Sequence, residues 1–182
     1  MTRIVPEFLL GPADQAAPRL LGWHLVSRVG GVVTELIITE VEAYTPDDPA
    51  SHAFKGISPR NSAMFGPPGT LYVYRSYGVH WCANIVCGNA DVGAAVLVRA
   101  GVAVRGIELM VRRRGRATHL LDGPGKLTQA LGIDLSHNHH SLLDPRSPII
   151  LVAGEPPRSI HVTPRIGITK AVELPWRFVS VL

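Results

Sequence analysis

The sequence is poor in aromatic residues, has almost no cysteine and contains no long apolar run. Its 182 residues include three Trp, four Tyr, four Phe and two Cys. No stretch approaches the roughly 20 apolar residues that a transmembrane helix needs, and no basic-then-apolar leader opens the chain. We therefore expect a cytosolic protein that does not enter a membrane. A chain of this length is also expected to fold as a single domain, over residues 1–182.

The few potential metal ligands are not arranged as a metal site. Cys82 and Cys87 lie five positions apart in one predicted strand, so they point to opposite faces and cannot pair with each other. No Cys-x-x-Cys motif is present, which argues against zinc. His137, His139 and His140 form the segment SHNHH, but no acidic or Cys partner stands at ligand spacing. We interpret SHNHH as a solvated loop, and both cysteines as small buried apolar residues.

Two common catalytic motifs are missing as well. The segment GPGKLT resembles part of a phosphate-binding loop, but Leu120 stands where the first glycine is required and Leu127 where Ser or Thr would bind magnesium. No nucleophile elbow of the type found in α/β-hydrolases occurs. The sequence thus gives no indication of a nucleotide-hydrolysing or serine-esterase site.

The charge is basic, with a formal net charge of +4 and a pI near 9.4. Only three of the eighteen Lys and Arg residues are lysines, and arginine suits bidentate contacts to phosphate. Such a balance permits nucleic-acid binding without establishing it. The cluster Arg112, Arg113, Arg114 and Arg116 is typical of a solvated helix end; a patch that contacts phosphates is the alternative.

The order of predicted elements favours an α+β fold. Apolar alternation and turn residues predict strands over residues 23–29, 32–43, 70–77, 80–87, 93–100, 148–153, 159–162 and 177–181. Short helices are predicted over residues 13–22, 104–113 and 125–131, with another that begins near Ser58 and stops before Gly66. In the first helix Pro18 should fall in the first turn, and in the helix of residues 104–113 Ile107, Leu109 and Met110 should face inward. Strands with interspersed short helices indicate α+β rather than alternating βα units.

The stretch LIITEVEAY carries acidic residues at the end of a predicted strand. Strict alternation would place Ile38, Glu40, Glu42 and Tyr44 on one face. An acid at a strand end, just before a polar loop, is held rigidly yet can reach a ligand. The alternative is that Glu40 and Glu42 form the solvated face of an edge strand.

The stretch TLYVYRSYGVHWCAN predicts a hairpin that turns at Gly78-Val79 and carries aromatic residues. Tyr72 and Tyr74 share one face, and Tyr77 lies at the turn, an unusual place for a large ring unless it packs or inserts into something. Asn84 is polar within an apolar strand and needs hydrogen-bond partners; the hairpin can bring it near Tyr74. A pocket is one interpretation, and a tyrosine core with a satisfied Asn is the other.

Arg99 follows the apolar run AVLV at a strand end. Its guanidinium could pair with Glu40 or Glu42 in a purely structural role. It could also position a phosphate or a water molecule. The spacing leaves both possibilities open.

Taken together, these segments resemble a known family. In order, TEVEAY, DDPASHAF, SPRNSAMFGPPGTLYVY, SYGVHWCANIV, AAVLVRA and DGPGKLTQALGI are similar to the signature segments of the alkyladenine (3-methyladenine) DNA glycosylases. The resemblance covers most of the chain. It departs from the family at ATHLL, which is short, and at SHNHH, which has no clear counterpart. It implies a single mixed α+β domain with a curved, mainly antiparallel sheet flanked by short helices.

The resemblance also implies the catalytic residues and the partner. Glu42 matches the acid that activates water as the nucleophile, and Arg99 matches an arginine that holds this water and the backbone near the acid. The expected partner is double-stranded DNA with damaged purines, either alkylated or deaminated as in hypoxanthine. A monofunctional enzyme that leaves an abasic site is expected, without metal or cofactor, as a monomer at the nucleoid.

The remaining matches concern the damaged base. Tyr44, His52 and Tyr74 match residues that sandwich and hydrogen-bond the extruded base, and Asn84 matches one that rejects guanine by clashing with its exocyclic amino group. Tyr77 matches the residue that inserts into the duplex. The alternatives are a catalytically inactive binder of damaged DNA with the same fold, a nucleoside hydrolase that uses Glu40 and Glu42 as an acid–base pair, and a structural RNA-binding protein.

Overall fold

The computed structural model describes residues 5–181 as an antiparallel sheet with short helices on it. The strands are β1 (His24–Ser27), β2 (Thr34–Tyr44), β3 (Leu71–Ser76), β4 (His80–Cys87), β5 (Ala94–Arg105), β6 (Ile149–Val152), β7 (Ser159–Thr163) and β8 (Arg177–Val181). The α-helices are α1 (Ala13–Arg19), α2 (Ile107–Arg114) and α3 (Pro124–Leu131). Single 3₁₀ turns occur at Glu7–Leu10, Val29–Gly31, Ser62–Phe65 and Leu135–His137.

The sheet is curled and all its strand pairs are antiparallel. Its order is β3-β4-β5-β2-β1-β6, and β8 pairs with both β2 and β7. One edge of β2 pairs with β5 over most of its length, whereas its other edge is shared between β1 and β8. This half-barrel with three helices confirms the predicted α+β class and the curved sheet.

The core lies between the sheet and the helices. Helix α1 packs on β2 and β5, and α3 packs on β4, β5 and α2. Leu36, Val96 and Leu127 are among the side chains with no exposed surface in this core, and burying each of them contributes roughly 1.5–3 kcal/mol. A smaller apolar cluster, which includes Met64 and Tyr72, lies apart from the main core.

The pairing of β2 with β5 is irregular at three places, and the irregularity between Ile38 and Glu40 corrects the predicted face of the acids. Ile38 pairs with Gly101 and Glu40 with Ala100, so one β2 residue between them is unpaired. One step further, Glu40 pairs with Ala100 and Val41 with Val98, so Arg99 is the extra residue on β5. Because a bulge shifts the phase of a strand, Ile38 and Val41 both face the core. The prediction that Ile38 shares a face with Glu40 and Glu42 is therefore wrong.

The hairpin β3–β4 has the predicted pairing but a different turn. Tyr72 and Tyr74 lie on one face, and Val73 lies on the other, in the main core. The turn is centred on Tyr77 and Gly78, with φ values of 49° and 67°, and the Val79 amide donates to the Ser76 carbonyl at 3.0 Å. A turn with two left-handed residues suits the right-handed twist of a hairpin.

Two of the predicted helices differ in detail. Pro18 lies near the end of α1 rather than in its first turn, and the helix ends one residue later, as expected where proline removes a backbone donor. Strand β5 continues to Arg105, so α2 begins only at Ile107. Met110 is buried as predicted, whereas Ile107 is exposed, because it lies in the first turn at the end of the sheet.

The segment SHNHH is not the solvated loop that we predicted. The Leu71 amide donates to the His140 carbonyl, the His139 amide donates to the Leu71 carbonyl, and Asn138 Oδ1 accepts from the Val73 amide. His137 is buried. The segment thus covers the free edge of β3, which would otherwise present unpaired backbone groups.

Cys82 and Cys87 are both free and buried, as predicted. None of the helices in residues 5–181 is long and apolar enough to cross a membrane.

Candidate active site

A cavity of about 680 Å³ opens between the β3–β4 hairpin and two loops. One loop follows β2 and contributes residues 49–52, and the other precedes β8 and contributes residues 166–170. The sequence-predicted residues that line the cavity are Tyr44, His52, Tyr74, Tyr77, Asn84 and Arg99. The fold therefore brings six of the seven predicted residues together around one space.

The seventh predicted residue, Glu42, lies just behind the cavity wall. Its side chain has no exposed surface. Its Oε2 accepts from the Tyr44 hydroxyl at 2.9 Å and from Arg99 Nη1 at 3.2 Å, and its Oε1 accepts from the Ile166 amide at 2.8 Å. Since a carboxylate offers about four acceptor positions, one position on Oε1 remains for a further donor.

Arg99 connects Glu42 with Glu40. Its Nε donates to Glu40 Oε1 at 2.9 Å, while Nη1 reaches Glu42. Glu40 Oε1 also accepts from Arg177 Nε at 2.7 Å. Arg99 stands in the bulge of β5, and this position directs its side chain toward both acids. Both acids are thus partners of Arg99, and the interpretation of Glu40 as part of a freely solvated face does not hold.

The charges around Glu40 determine its protonation. Burial by itself raises the pKa of Glu40, but the hydrogen bonds and charges of Arg177 and Arg99 outweigh burial and hold its pKa below the ordinary value. A general acid needs a raised pKa so that it keeps its proton at neutral pH. The environment of Glu40 therefore disfavours the alternative in which Glu40 and Glu42 work as an acid–base pair.

Replacing Glu40 with Gln is expected to destabilise the fold at neutral pH, with a smaller effect in acid. The ionised side chain stabilises the folded state above the ordinary pKa of 4.5, and this contribution is lost as the pH falls through the lower pKa of the folded state. Urea unfolding midpoints of wild type and Glu40→Gln should differ at pH 7 and converge toward pH 3. The exposed Glu108→Gln is the control, and a Glu40→Gln difference that stays constant with pH would contradict the charge-based explanation.

The aromatic residues form one continuous wall and one separate surface. The His52 and Tyr74 rings meet edge to face with centroids 4.5 Å apart, and Tyr72 stacks on Tyr74 at 5.5 Å. His52 Nδ1 also lies 2.8 Å from the Tyr72 hydroxyl. Because His52 and Tyr74 touch, they form a single wall, and a flat ligand fits beside them but not between them. Tyr44 lines the cavity separately.

Burial sets the protonation of these side chains. It raises the pKa of Tyr72 to about 12, and burial together with the charge of Glu42 raises the pKa of Tyr44 further. Tyr44 thus stays protonated and donates to Glu42. Burial, followed by the charge of Arg60, lowers the pKa of His52. His52 is therefore neutral at neutral pH, with one ring nitrogen as donor and the other as acceptor.

Asn84 is buried and lines the cavity. Its Nδ2 donates to the backbone carbonyl of Tyr72 at 3.1 Å, so its strand neighbour is Tyr72 rather than Tyr74, which pairs with Cys82. This hydrogen bond fixes the orientation of the amide. A rigid polar group in a cavity wall is suited to excluding ligands whose substituents do not fit it.

Tyr77 stands at the cavity mouth with 87% of its surface exposed. Its backbone is left-handed, at φ 49°, which costs about 1–2 kcal/mol for a residue with a Cβ. A residue with a Cβ that keeps this backbone and presents an exposed aromatic ring is a candidate functional residue.

Sequence reasoning missed the loop before β8, which contributes the Ile166 amide to Glu42. It also missed Arg165, which is buried against Asp48. The Ile166 contribution comes from a backbone amide, so its side chain carried no signal. Arg165 gave only a single basic residue between predicted strands, which is most often exposed.

The arginine cluster at the end of α2 has a partly structural role. Arg113 donates to the carbonyls of Ala130 and Val29, and Arg114 contacts Gln129. Arg112 and Arg116 are exposed. The cluster is thus a solvated helix end only at these two positions.

This chain is similar to known proteins over most of its length. The model of the methylpurine-DNA glycosylase family matches residues 7–181. A protein of Rhodopseudomonas palustris strain BisB18 is 49% identical over 174 residues, which cover 94% of this chain and 84% of the relative. One of Agrobacterium fabrum is 51% identical over 178 residues, covering 96% and 87% respectively. One of Granulibacter bethesdensis is 50% identical over 182 residues, covering 96% and 82%. All three are named as candidate 3-methyladenine DNA glycosylases.

Proposed function

This chain belongs to the methylpurine-DNA glycosylase family, and on that premise we propose that it removes damaged purines from duplex DNA by hydrolysing their N-glycosidic bonds. The substrates would be alkylated adenines such as 3-methyladenine and, more slowly, deaminated purines such as hypoxanthine. The observation that carries this proposal is the buried Glu42 carboxylate, held by three donors directly behind an aromatic-lined cavity.

The substrate base must leave the duplex to reach this cavity. Rotating a nucleotide out of the stack costs a few kcal/mol, and least for a damaged or mispaired base, which is one source of selectivity. The exposed Tyr77 ring at the cavity mouth can occupy the vacated place in the stack. We propose that this insertion slows the return of the extruded base.

The extruded purine would bind between Tyr44 and the wall formed by His52 and Tyr74. Stacking on aromatic side chains contributes roughly 1–3 kcal/mol per base. A cationic alkylated purine gains additional attraction from the tyrosine rings. His52 would contribute a hydrogen-bonding ring nitrogen to the base edge, since it remains neutral.

Glu42 would act as the general base. The transition state of glycosidic cleavage resembles an oxocarbenium ion, so one carboxylate can both accept the proton of the attacking water and face the developing positive charge. The remaining acceptor position on Oε1 is the proposed site for this water. Because Glu42 has no exposed surface, a small movement of the cavity wall would admit the water.

No covalent enzyme intermediate is required. Lys170 is the lysine that lines the cavity, and it is exposed, whereas nucleophilic lysines are activated by desolvation or a neighbouring cation. Water as the nucleophile leaves an abasic site and an intact strand. Cationic purines leave without protonation, which is why we expect them to be released faster than hypoxanthine.

The proposal is tested by single-turnover base release from duplex oligonucleotides that carry 3-methyladenine or hypoxanthine, with an undamaged duplex as control. We expect release from both lesions, faster for the alkylated one, and strand cleavage only after alkali. Borohydride should trap no protein–DNA adduct. Tight lesion binding without release would instead identify an inactive damage-binding protein, and release from free nucleosides alone would identify a nucleoside hydrolase.

Asn84→Ser is expected to extend the substrate range to guanine-type bases. Serine is shorter and cannot maintain the hydrogen bond to the Tyr72 carbonyl, so the exocyclic amino group of guanine would no longer meet a fixed amide. The measurement is the ratio of base release from alkylated guanine and alkylated adenine in otherwise identical duplexes. Both rates in the ratio are measured with the same protein, so a general loss of activity does not change the ratio. A ratio equal to that of wild type would refute the role of Asn84.

A further inference from the structure

A buried ion pair joins the two loops that line the cavity. Arg165 and Asp48 both have side chains without exposed surface. Nη1 of Arg165 donates to Asp48 Oδ2, and Nη2 donates to Asp48 Oδ1 at 3.1 Å. Asp48 lies in the loop after β2, and Arg165 begins the loop before β8. The pair therefore connects segments 117 positions apart in sequence.

The same guanidinium also holds backbone groups of both segments. Nη1 donates to the Ala43 carbonyl at 2.9 Å, and Nη2 donates to the Ala171 carbonyl at 3.4 Å. The flat group lies over the Tyr44 ring, with Cζ 4.6 Å from its centroid, and over the Trp176 ring at 5.3 Å. Each of these contacts uses the planar fork of arginine, which lysine cannot reproduce.

Two of the three donors on Glu42 depend on this arrangement. The Ile166 amide belongs to the residue that directly follows Arg165, and the Tyr44 hydroxyl belongs to the ring on which Arg165 stacks. The third donor, Arg99, is held separately by Glu40. Arg165 itself makes no contact with Glu42 among the described hydrogen bonds and ion pairs.

We propose that Arg165 is a positioning residue for the reaction: it fixes the Ile166 amide and the Tyr44 hydroxyl so that they orient the Glu42 carboxylate toward the base cavity. This inference rests on the proposed function of Glu42 as the general base. The loops that the pair joins both line the cavity, through residues 49–52 and 166–170.

Arg165→Lys tests this role with the charge retained. A misplacement of about 1 Å in a catalytic group slows chemistry by roughly 100-fold, so we expect single-turnover base release to slow about tenfold to 100-fold. Lesion affinity should fall less than the rate, because only the Tyr44 side of the base site is disturbed, whereas the wall of His52 and Tyr74 and the inserting Tyr77 remain. Asp48→Asn, which keeps the shape and removes the partner charge, should have an intermediate effect.

The matched control is Arg146→Lys. Arg146 makes an exposed bidentate pair with Asp144. Arg146→Lys therefore makes the same substitution outside the site and should leave the rate of base release unchanged. Thermal unfolding of each variant establishes the folded fraction before the kinetics are compared.

Hydrogen exchange of the Ile166 amide is the second readout. In Arg165→Lys we expect this amide to exchange faster while amides in β4 and β5 stay protected. Loss of base release, binding and global stability in parallel, with Ile166 exchange unchanged, would show a purely structural role and overturn the proposal. An Arg165→Lys rate equal to wild type would also overturn it.

Failure of the proposed function gives a different result. If Glu42→Gln releases the base as fast as wild type, Glu42 is not the general base and the positioning role fails with it. If wild type releases the base and Glu42→Gln does not, the proposed function holds. The base-release rate and the Ile166 exchange of Arg165→Lys then determine whether Arg165 is a positioning residue.

Discussion

Glu42→Gln is expected to abolish base release from a lesion-containing duplex while lesion binding persists. Positioned general bases contribute typically about 100- to 10,000-fold to a rate, and an amide cannot accept the proton of the attacking water. The amide also carries no charge to face the developing oxocarbenium ion. Single-turnover release and binding by fluorescence anisotropy, measured on the same duplex, separate the chemical effect from the binding effect.

The surroundings of Glu42 also predict a cost in stability. Its carboxylate accepts three hydrogen bonds, and the amino group of Gln must face at least one of those donors. An unsatisfied buried polar group costs about 1–3 kcal/mol. The melting temperature of Glu42→Gln should therefore fall without loss of the folded state.

Controls for this variant lie on the same strand. Glu35 pairs with His24 at 2.6 Å, at the other end of β2, so Glu35→Gln tests the same substitution away from the cavity and should release the base at the wild-type rate. Glu40→Gln should be intermediate, because Glu40 holds Arg99. Residual activity of a folded Glu42→Gln within about threefold of wild type, far short of the effect of a general base, would remove Glu42 from the mechanism.

Tyr77→Ala is expected to reduce base release from duplex DNA far more than from single strands. In a duplex the ring fills the space of the extruded nucleotide, and stacking contributes roughly 1–3 kcal/mol per base, which corresponds to about a fivefold to 160-fold loss. A single strand has no opposing stack to restore, so its loss should be small. Because the ring is 87% exposed, its removal should leave stability nearly unchanged.

Tyr77→Phe is the matched control for the wedge. Phenylalanine keeps the ring and has the same Cβ in the left-handed turn, so it should retain most duplex activity. Equal losses on duplex and single strands in Tyr77→Ala would show that Tyr77 contributes to base binding or to the turn rather than to insertion. A large loss in Tyr77→Phe would assign the effect to the hydroxyl.

The sequence predicted the positions of the strands better than their bulges and the faces on which their side chains lie. Apolar alternation located the eight strands, because one face of most of them lies on the core. It failed at β2, where it placed Ile38 on the face of Glu40 and Glu42. A bulge depends on how two strands pair, and the β2 sequence alone does not show that the residue between Ile38 and Glu40 is unpaired.

The candidate residues came from the resemblance to a family, and local patterns alone left each with a structural alternative. The structure brings them to one cavity or directly behind it and gives most of them a partner, as with the Asn84 amide on the Tyr72 carbonyl. Their roles in base excision stay predictions. Of the residues that sequence reasoning missed, Ile166 contacts Glu42 through its backbone amide and Arg165 contacts Asp48 from a distant loop, and neither arrangement produces a local pattern.

The sequence by itself determined the α+β class, the positions of most elements and the set of side chains available for chemistry, because these depend on short-range periodicity and residue type. Only the tertiary structure decided that Glu42 is completely buried, that Arg99 bridges two acids and that Arg165 reaches Asp48 across 117 positions. The physical reason is that a buried charge requires partners, and the partners of Glu42 are supplied by strands and loops that meet only when the sheet curls. The orientation of the proposed base is thus a property of the folded chain.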